Sequence, residues 1–538
     1  MSVLPNILLI LNDDMGYSDI GCYGGEVETP NLDRLARQGL RFTQFYNTAR
    51  CSPSRASLLT GLHPHQTGIG ILTYDSGPEG YAGNLNERCA TIAEVLKTAG
   101  YRSYLSGKWH VSSSLTQPTD SWPLQRGFDE FYGTIIGAGS FYDPNTLTRG
   151  NDNVEHEARA PGFFYTDAIS DEAVRFLRNH QASHGDQPFF EYVAYTAPHW
   201  PLHAHDEDIA RYKGRFDAGW DQLREERLER LIQSGLLDER WKLSGRDPTQ
   251  PAWSEAEHKA WLTRCMEVYA AQIDRMDQGI GRILDELERQ GKIDNTLIIF
   301  LADNGACAED IPEDVTIDEL VNKLMIARRE TRDGSVVHFG NNPELMPGPE
   351  NTYQSYGKAW ANMSNTPFRL YKHWIHEGGI STPLIMHWPQ GIDQPGGIRH
   401  APGYLPDIMA TILDITGVPY PSSVNDREIL PLEGYSLRSA FEADQIERPP
   451  MFWEHEGNAA VRIGQWKLVR QYPDSWELYN LEDDRTELHD LAPQYPDKVG
   501  EMEQLYEQWA ARCGVLPREH VLALMRSQGV TRAFWEED

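Results

Sequence analysis

Five short apolar segments, separated by helical patterns, constrain the fold of this chain more than any other feature of its sequence. They are rich in Ile, Leu, Val and aromatic residues: Asn6–Leu11, Tyr101–Ser106, Phe189–Tyr195, Thr296–Ala302 and Thr382–His387. Helical patterns such as Pro30–Gln38 and Thr91–Thr98 lie between them. Continuous apolar strands that alternate with helices are typical of a parallel sheet buried on both faces. The sequence therefore predicts the α/β class, with a large, mostly parallel sheet sandwiched by helices.

The pattern changes near residue 424. A predicted helix, Leu405–Thr416, is followed by a stretch rich in Pro and Ser, Val418–Val424. Three short segments then have the length and composition of antiparallel strands, and an amphipathic helix follows them: Ala459–Ile463, Trp466–Gln471, Trp476–Asn480 and Pro496–Arg512. We therefore predict a large α/β domain over residues 1–424 and a smaller C-terminal α+β domain, containing an antiparallel sheet, over residues 425–538.

A long helix precedes the fourth apolar segment, and a long irregular segment separates the fourth from the fifth. Apolar residues recur at spacings of three and four from Glu255 to about Gln290, and Ser254 with Glu257 has the pattern of a capping box. From residue 304 to 367 no period is visible, which predicts a covering loop or a partly disordered segment. Three aromatic residues in this segment could line a pocket or only anchor the loop: Tyr353, Tyr356 and Trp360.

The charge of the chain argues against several classes of partner, and its cysteines argue against two kinds of site. The 538-residue chain has 49 basic and 80 acidic side chains, a formal charge of −31. This argues against a nucleic acid or an anionic membrane as partner, because both need a basic face. The six cysteines form no C-x-x-C pair, so neither a disulfide scaffold nor a zinc site is indicated. No apolar run approaches the ~18 residues that span a bilayer, and no signal peptide is visible, so we expect a cytoplasmic protein of open oligomeric state.

Two of the predicted strands end in the same kind of residue. Asn6–Leu11 is followed by Asp13 and Asp14, and Thr296–Ala302 by Asp303 and Asn304. These side chains could simply cap the next helix or turn. At adjacent strand ends, however, three carboxylates and an amide form a hard oxygen site suited to Ca²⁺ or Mg²⁺.

A cysteine precedes a predicted helix at residues 51–61. Ser52 fits the N-cap, Pro53 the first helical position and Gly61 the stop. Cys51 would then lie at a helix N-terminus that favours anions, with Arg55 one turn further along the helix. A thiol in such a place is expected to be acidified and reactive, although a lone cysteine is more often a buried structural residue.

Three further segments supply polar groups near the predicted strand ends. Lys108 and His110 follow Tyr101–Ser106, His199 follows Phe189–Tyr195, and Lys372 precedes the strand at Thr382. Taken singly, each is more often a surface or hydrogen-bonded residue. Together with Arg55 and a metal, they have the composition expected for binding a tetrahedral oxyanion and moving protons to and from it.

These motifs resemble those of the type I formylglycine-dependent sulfatases, and most closely those of bacterial arylsulfatases. The segment from Cys51 to Arg55, with the downstream Leu-Thr-Gly, is similar to the family's first signature, and Gly-Lys-Trp-His around Lys108 to its second. The remaining candidates match family positions in chain order: Asp13, Asp14, His199, Asp303, Asn304 and Lys372. The resemblance covers nearly the whole chain. It implies the alkaline phosphatase superfamily fold, in which a smaller domain with a four-stranded sheet accompanies the large α/β domain.

The resemblance also implies an activity, namely hydrolysis of aryl or small alkyl sulfate monoesters to an alcohol and inorganic sulfate. A formylglycine-generating maturation enzyme would convert Cys51 to formylglycine, whose hydrated aldehyde is the nucleophile. The metal, usually Ca²⁺ with Mg²⁺ possible, would be held by four side chains: Asp13, Asp14, Asp303 and Asn304.

The resemblance also implies a catalytic role for each matching residue. Arg55 would hold the hydrated aldehyde, Lys108 and Lys372 would hold the sulfate, and Asp303 would help to deprotonate the attacking hydroxyl. His199, helped by Lys372, would protonate the leaving alcohol. His110 would then take a proton from the second hydroxyl and so release sulfate.

Two other functions compete with this hypothesis. A phosphonate monoester or phosphodiester hydrolase of the same superfamily would also use formylglycine. Such relatives typically carry Asp-His where this chain has Asp303 and Asn304, which favours a sulfatase. A calcium-stabilised binding protein without turnover is the third hypothesis, and loss of turnover in Cys51→Ala would exclude it.

Overall fold

The computed structural model describes residues 4–315, 318–444 and 446–527. The strands are β1 Asn6–Asn12, β2 Leu40–Tyr46, β3 Arg102–Gly107, β4 Glu130–Thr134, β5 Leu147–Arg149, β6 Asp152–Asn153, β7 Phe189–Ala194, β8 Thr296–Ala302, β9 His338–Phe339, β10 Thr352–Tyr353, β11 Ser381–His387, β12 Gly397–Arg399, β13 Gly403–Tyr404, β14 Ser423–Val424, β15 Arg427–Glu428, β16 Met451–His455, β17 Asn458–Ile463, β18 Trp466–Arg470 and β19 Glu477–Asn480. The helices are α1 Pro30–Gln38, α2 Cys51–Thr60, α3 Pro64–Thr67, α4 Ile92–Lys97, α5 Tyr165–His184, α6 Asp206–Arg211, α7 Gly219–Gln233, α8 Lys259–Arg289, α9 Gly357–Ser364, α10 Glu377–Ile380, α11 Pro406–Thr416, α12 Pro496–Cys513 and α13 Arg518–Ser527.

A large sheet runs through the first domain in the order β12-β2-β11-β8-β1-β7-β3-β4-β5-β6, with β13 also paired to β2. Its centre is parallel, because β1 pairs in parallel with both β7 and β8, and β3 with β7 and β4. Strand β11 runs antiparallel to both of its neighbours, β8 and β2. The start of β11 therefore lies at the same edge as the carboxyl ends of β1, β8 and β2.

Helices cover both faces of this sheet, as predicted. Alternate residues of β1 point to opposite sides, so Leu8 and Ile10 join one buried cluster while Ile7 and Leu9 join the other. Helices α1, α5, α7 and α8 pack in the first cluster, and α2, α4 and α11 in the second. Burial on both faces explains why the strands read as continuous apolar segments.

The smaller sheet, β16-β17-β18-β19, is antiparallel throughout. One face packs Trp453 and Ala460 against Tyr46 and Ile380 of the large domain, and the other face packs Val461 against α12. The predicted strands and helix of this region are confirmed, and β16 adds a fourth strand. Residues 429–441 pack into the second cluster of the large sheet, and the domain boundary at residue 424 stays a prediction.

The long helix begins four residues later than the sequence pattern indicated. Its capping residue is His258, with a positive φ of 51°, while Ser254 belongs to a short 3₁₀ turn, Trp253–Glu255. The capping box predicted from Ser254 and Glu257 is therefore wrong, because that turn ends before the helix starts. Among the described residues, no helix combines the length and apolarity that crossing a membrane requires.

The three aromatic residues of the irregular segment act as anchors. The hydroxyl of Tyr353 donates to the carbonyl of Ile326 at 2.8 Å, and the ring of Tyr356 stacks on that of Tyr269 with centroids 4.4 Å apart. The indole of Trp360 donates to a carbonyl of α8 at 2.8 Å. These contacts hold the described part of the segment against the large domain.

Candidate active site

Six strands of the large sheet carry candidate residues at one edge, where β1, β2, β3, β7 and β8 end and β11 starts. Asn12 of β1 lies opposite Ala302 of β8, so the acidic residues that follow the two strands are neighbours. The backbone N–H of Asp303 donates to the carbonyl of Asn12 at 3.1 Å, which continues the pairing past the strand ends. Strand β2 ends at this edge and β11 starts there. Cys51, which follows β2, and Lys372, which precedes β11, therefore also lie at this edge.

The predicted metal ligands form one buried group, each exposed by 1% or less. The backbone N–H of Asp14 donates to Oδ1 of Asp303 at 3.3 Å, and Nδ2 of Asn304 donates to Oδ1 of Asp14 at 2.6 Å. Ligand atoms of Asp13, Asp14 and His199 lie within 4.8 Å of one another. The structure thus brings together the four residues that the sequence singled out.

Three cations surround these carboxylates. Nη2 of Arg55 lies 2.9 Å from Oδ2 of Asp303, and Nζ of Lys372 lies 2.9 Å from Oδ2 of Asp14. Nζ of Lys108 forms an ion pair with Asp13. All three side chains are buried, so these charges act on one another at low dielectric.

The neighbouring charges shift the acid pKa values in opposite directions. Burial acts to raise the pKa of Asp13, but the charges of Lys108, His199 and Arg55 lower it below its usual range. Burial and the negative charge of Asp13 raise the pKa of Asp303 to about 7. The carboxylates therefore repel one another enough that a positive charge among them would be favourable.

The donor set fits a hard divalent cation. Asp13 Oδ1 and Asn304 Oδ1 are buried and have no hydrogen-bond partner among the described residues. An unpaired buried carboxylate or amide oxygen is costly unless a ligand satisfies it. Oxygen ligands of this kind suit Ca²⁺ or Mg²⁺.

Helix α2 begins at Cys51, two residues earlier than the sequence pattern predicted. Arg50 occupies the N-cap, not Ser52, while Gly61 ends the helix in the left-handed conformation as expected. Burial raises the pKa of the Cys51 thiol, although Lys108 and Lys372 act to lower it. The prediction of an acidified thiol is therefore wrong, because burial outweighs the nearby positive charges.

Two histidines face the site in different ways. Nδ1 of His199 donates to the carbonyl of Trp200 at 2.6 Å, which leaves Nε2 near Lys372 Nζ at 3.4 Å and Asp14 Oδ2 at 3.3 Å. His110 has a positive φ of 54°, and its ring lies against Gly137. Burial lowers the pKa of both rings.

A cavity of about 250 Å³ opens over these groups. Of the predicted site residues, four line it: Cys51, His110, His199 and Lys372. Most of the rest of the wall is apolar or aromatic: Leu72, Tyr74, Leu115, Ile136, Ala138, Trp200, Leu324 and Ile326. The other six site residues lie buried beneath, so the cavity combines a charged floor with an apolar wall.

Glu309 is a residue of this cavity that the sequence did not reveal. Its carboxylate accepts from Arg50 at 2.8 Å and from the indole of Trp200 at 2.9 Å, and it lies 3.8 Å from Lys372 Nζ. Burial acts to raise its pKa, but Lys372 and Arg50 lower it below its usual range. Glu309 sits in the irregular segment beside Asp310, and nothing in the sequence distinguishes the two acids.

Residues that the sequence left without a role are placed elsewhere. His65 pairs with Glu454 of β16 at 2.7 Å, and His63 lies 3.7 Å from Glu433. Cys307 is buried beside Ile311 and Val337 in a separate apolar cluster. These residues contribute to packing around the site rather than to its floor.

The chain is similar to known proteins over most of its length. A family model described as Sulfatase matches residues 5–418, and one described as N-sulphoglucosamine sulphohydrolase, C-terminal, matches residues 368–511. The chain is 34% identical to an uncharacterized sulfatase of Schizosaccharomyces pombe, over 95% of this chain and 94% of that one. It is 33% identical to an arylsulfatase of Klebsiella aerogenes, over 80% and 91% of the two chains.

A solved structure, that of Ps i-CgsB in complex with k-i-k-neocarrahexaose, is similar to this one with a TM-score of 0.67. The two sequences are 24% identical, and the match covers 98% of each chain. This likeness extends the shared fold from the large sheet through the C-terminal sheet.

Proposed function

Because this chain belongs to the sulfatase family and hydrolyses sulfate esters, we propose that its substrates are small aryl or alkyl sulfate monoesters. We further propose a nucleophile derived from Cys51 and a bound divalent metal. The observation that carries the substrate class is the cavity, whose charged floor suits a sulfate group and whose apolar wall suits a hydrophobic leaving group. An acidic chain with a charge of −31 also disfavours long polyanions.

The side chains that form the floor of the cavity have different roles. Lys372 stays charged, because Asp14 and Glu309 raise its pKa despite burial, and it can therefore hold a sulfate oxygen. Lys108 and Arg55 lie deeper and hold the carboxylates in place through their ion pairs. Conversion of Cys51 by a maturation enzyme would supply a hydrated aldehyde with two hydroxyl groups, one to attack the sulfate ester and one to lose a proton when sulfate is released.

His199 has the geometry of a general acid. Its Nδ1 proton is committed to the carbonyl of Trp200, so Nε2 is the nitrogen that can pass on a proton to a leaving oxygen once it has itself been protonated. Lys372, at 3.4 Å from Nε2, is placed to assist that transfer. His110, also in the cavity wall, is the base we propose for releasing sulfate.

Asp13, Asp14, Asp303 and Asn304 would hold the metal, Ca²⁺ or Mg²⁺. A bound divalent cation would offset the negative charge of the sulfate and of the attacking oxygen. We expect a chelator to reduce activity and to lower the melting temperature, and Ca²⁺ to restore both. Activity that survives exhaustive chelation would contradict this part of the proposal.

A panel of matched esters tests the substrate class. We expect kcat/KM for 4-nitrophenyl sulfate to exceed that for 4-nitrophenyl phosphate and for a sulfated disaccharide. A preference for phosphate would favour a phosphonate or phosphodiester hydrolase. A preference for the disaccharide would move the substrate class to sulfated saccharides.

Mass spectrometry tests the nucleophile. In active enzyme, the peptide that contains Cys51 should carry CHO in place of CH₂–SH. Cys51→Ala should abolish turnover, whereas Cys265→Ala, a buried cysteine in α8, should retain it. An unmodified Cys51 in active enzyme would exclude the proposed nucleophile.

A further inference from the structure

Beside the active site, a second group of potential ligands joins the two sheets. His373 directly follows Lys372 in the chain, while His455 ends β16 and Glu456 begins the turn to β17. We call these three residues the His–His–Glu cluster. Their potential ligand atoms lie within 4.8 Å of one another, and all three residues are buried.

His455 is the observation that points to a ligand. Its side chain is fully buried, and neither Nδ1 nor Nε2 has a hydrogen-bond partner among the described residues. A buried imidazole normally donates from one nitrogen and accepts at the other, so two unpaired nitrogens leave a lone pair and a proton unsatisfied. Coordination by the neutral ring would satisfy the lone pair.

The neighbouring residues are oriented for shared coordination. Nε2 of His455 lies 3.8 Å from Oε1 of Glu456, and the rings of His455 and His373 meet nearly edge to face, with centroids 5.4 Å apart. Oε2 of Glu456 lies 3.6 Å from Nη2 of Arg518. Arg518 therefore attracts one oxygen of the carboxylate, as groups behind a metal ligand commonly do, and leaves the other toward His455.

Two imidazoles and one carboxylate differ in kind from the oxygen donors of the active site. Imidazole favours zinc and similar transition metals, whereas all-oxygen sites favour Ca²⁺ or Mg²⁺. We propose that the His–His–Glu cluster binds one divalent transition-metal ion of the zinc class, separately from the active-site metal. The fourth position of such an ion would be filled by water or another small ligand.

The cluster would also fix the position of Lys372. His373 is held on one side by its backbone N–H, which donates to the carbonyl of Ala49 at 2.8 Å, two residues before Cys51. A metal shared with His455 and Glu456 would tie this segment to the hairpin of the smaller sheet. The ion would therefore be a positioning element rather than a reacting one.

Binding of Co²⁺ tests the proposal, because a four-coordinate cobalt ion with nitrogen ligands absorbs visible light much more strongly than hydrated cobalt does. The full-length protein is first saturated with Ca²⁺, so that the oxygen site is filled, and is then titrated with Co²⁺ and, in competition, with Zn²⁺. We expect one visible-absorbing Co²⁺ per chain in the wild type, displaced by Zn²⁺. His455→Gln should weaken the affinity by at least about 100-fold, since loss of a direct ligand should cost no less than loss of an outer-shell partner.

A matched control and a second variant keep the test decisive. His387→Gln removes a buried histidine on β11, outside the cluster, and should bind Co²⁺ like the wild type. Glu456→Gln, at the edge of the cluster, serves if His455→Gln does not fold. The proposal would be overturned if the wild type and a folded cluster variant bound Co²⁺ equally well. It would also be overturned if Co²⁺ bound only at the oxygen site. This readout is independent of turnover, so it stands or fails separately from the proposed sulfatase mechanism.

Discussion

At the scale of single residues, the position of His110 depends on a glycine that carries no functional group. A Cβ at Gly137 would lie 2.1 Å from the ring of His110, far inside van der Waals contact. The ring is the end of a side chain and can move aside, so a methyl group here displaces the ring rather than the backbone. The site therefore requires a glycine at position 137, and no motif in the sequence reveals that requirement.

We predict that Gly137→Ala lowers kcat/KM for an aryl sulfate about 100-fold, because a displacement of about 1 Å in a catalytic group has an effect of this size. The melting temperature should change little. Gly139→Ala is the matched control, since its Cβ would meet nothing closer than 3.5 Å. Equal activity of the two variants in steady-state assays would show that His110 does not need its present position.

Glu191 gives a prediction about stability. It lies in the middle of β7, between Leu8 and Tyr104, and neither carboxylate oxygen has a hydrogen-bond partner among the described residues. Burial raises its pKa well above the usual range. The folded protein thus holds a proton that the unfolded chain releases, and the free energy of unfolding falls as pH rises through and above about 4.5.

We predict that Glu191→Gln, which cannot titrate, gains stability relative to the wild type as pH rises from 5 to 8, by about 1–3 kcal/mol. Urea unfolding at the two pH values measures this difference. Glu344→Gln, at an exposed acid, should show no such trend. A difference that stays constant with pH would mean that Glu191 is charged in the folded state.

The residue types of the candidate site could be predicted, but their electrostatic states could not. Asp13, Lys108 and Asp303 stand out because each directly follows an apolar strand. The direction of a pKa shift depends on burial and on partners from distant parts of the chain, which is why the Cys51 thiol departs from expectation. Glu309 was missed for the same reason, since only the folded chain places it beside Arg50.

At the scale of elements, helix α1 begins with a cap supplied by another helix. Its own N-cap residue, Thr29, makes no capping bond through its side chain. Instead, Oδ1 of Asp277 in α8 accepts from the backbone N–H of Leu32 at 2.8 Å, and Oδ2 from that of Asn31 at 3.1 Å. The carboxylate thus ties the two helices together where free N–H groups favour negative charge.

We predict that Asp277→Ala lowers the free energy of unfolding by about 1–3 kcal/mol, because it leaves backbone N–H groups at a buried helix end without a partner. Asp285→Ala, at an exposed position of the same helix, should have almost no effect. Denaturant unfolding of both variants measures the difference. A similar loss in both would assign the effect to helix α8 alone.

The presence of a strand was easier to predict from the sequence than the direction in which it runs in the sheet. Apolar segments identified β1, β3, β7, β8 and β11, because each is buried on both faces. That β11 is antiparallel depends on its neighbours in space, and so does the pairing that places its start beside the end of β2. Strand β2 was not predicted, because Arg41, Thr43 and Gln44 interrupt its apolar pattern.

At the scale of the whole molecule, one buried lysine joins the two sheets. Nζ of Lys467 in β18 lies 2.9 Å from Oε1 of Glu377 in α10 and 2.8 Å from Oε1 of Glu487. All three side chains are almost fully buried. Glu377 lies in the short helix that leads into β11, so this lysine fixes the smaller sheet to the edge of the large sheet where the candidate site lies.

We predict that Lys467→Met lowers the free energy of unfolding by about 3–5 kcal/mol, because it leaves two buried carboxylates without their shared cation. Lys242→Met, at an exposed lysine, is the control and should change stability little. Chemical unfolding measures both variants. A loss of stability no greater than that of the control would show that the other contacts between the two sheets are enough to hold them together.

The net charge of the molecule and the charge of its site influence an anionic substrate in opposite directions. The total of −31 acts at long range and is screened by salt, whereas Lys372 and Lys108 act at contact distance in a buried floor. The composition could therefore exclude classes of partner, but it could not reveal the cationic floor. That floor depends on long-range contacts between segments that lie far apart in the chain.

The position of the last described helix, α13, affects the order in which parts of the structure can form during synthesis. Val521 and Met525 of this helix pack in one apolar cluster with Cys51 and with Ile71 and Leu72, beside the cavity. Almost the whole chain separates the two sides of this cluster. Because synthesis proceeds from the N-terminus, Cys51 leaves the ribosome long before α13 does, so this part of the wall beside Cys51 is completed only when the chain is nearly finished.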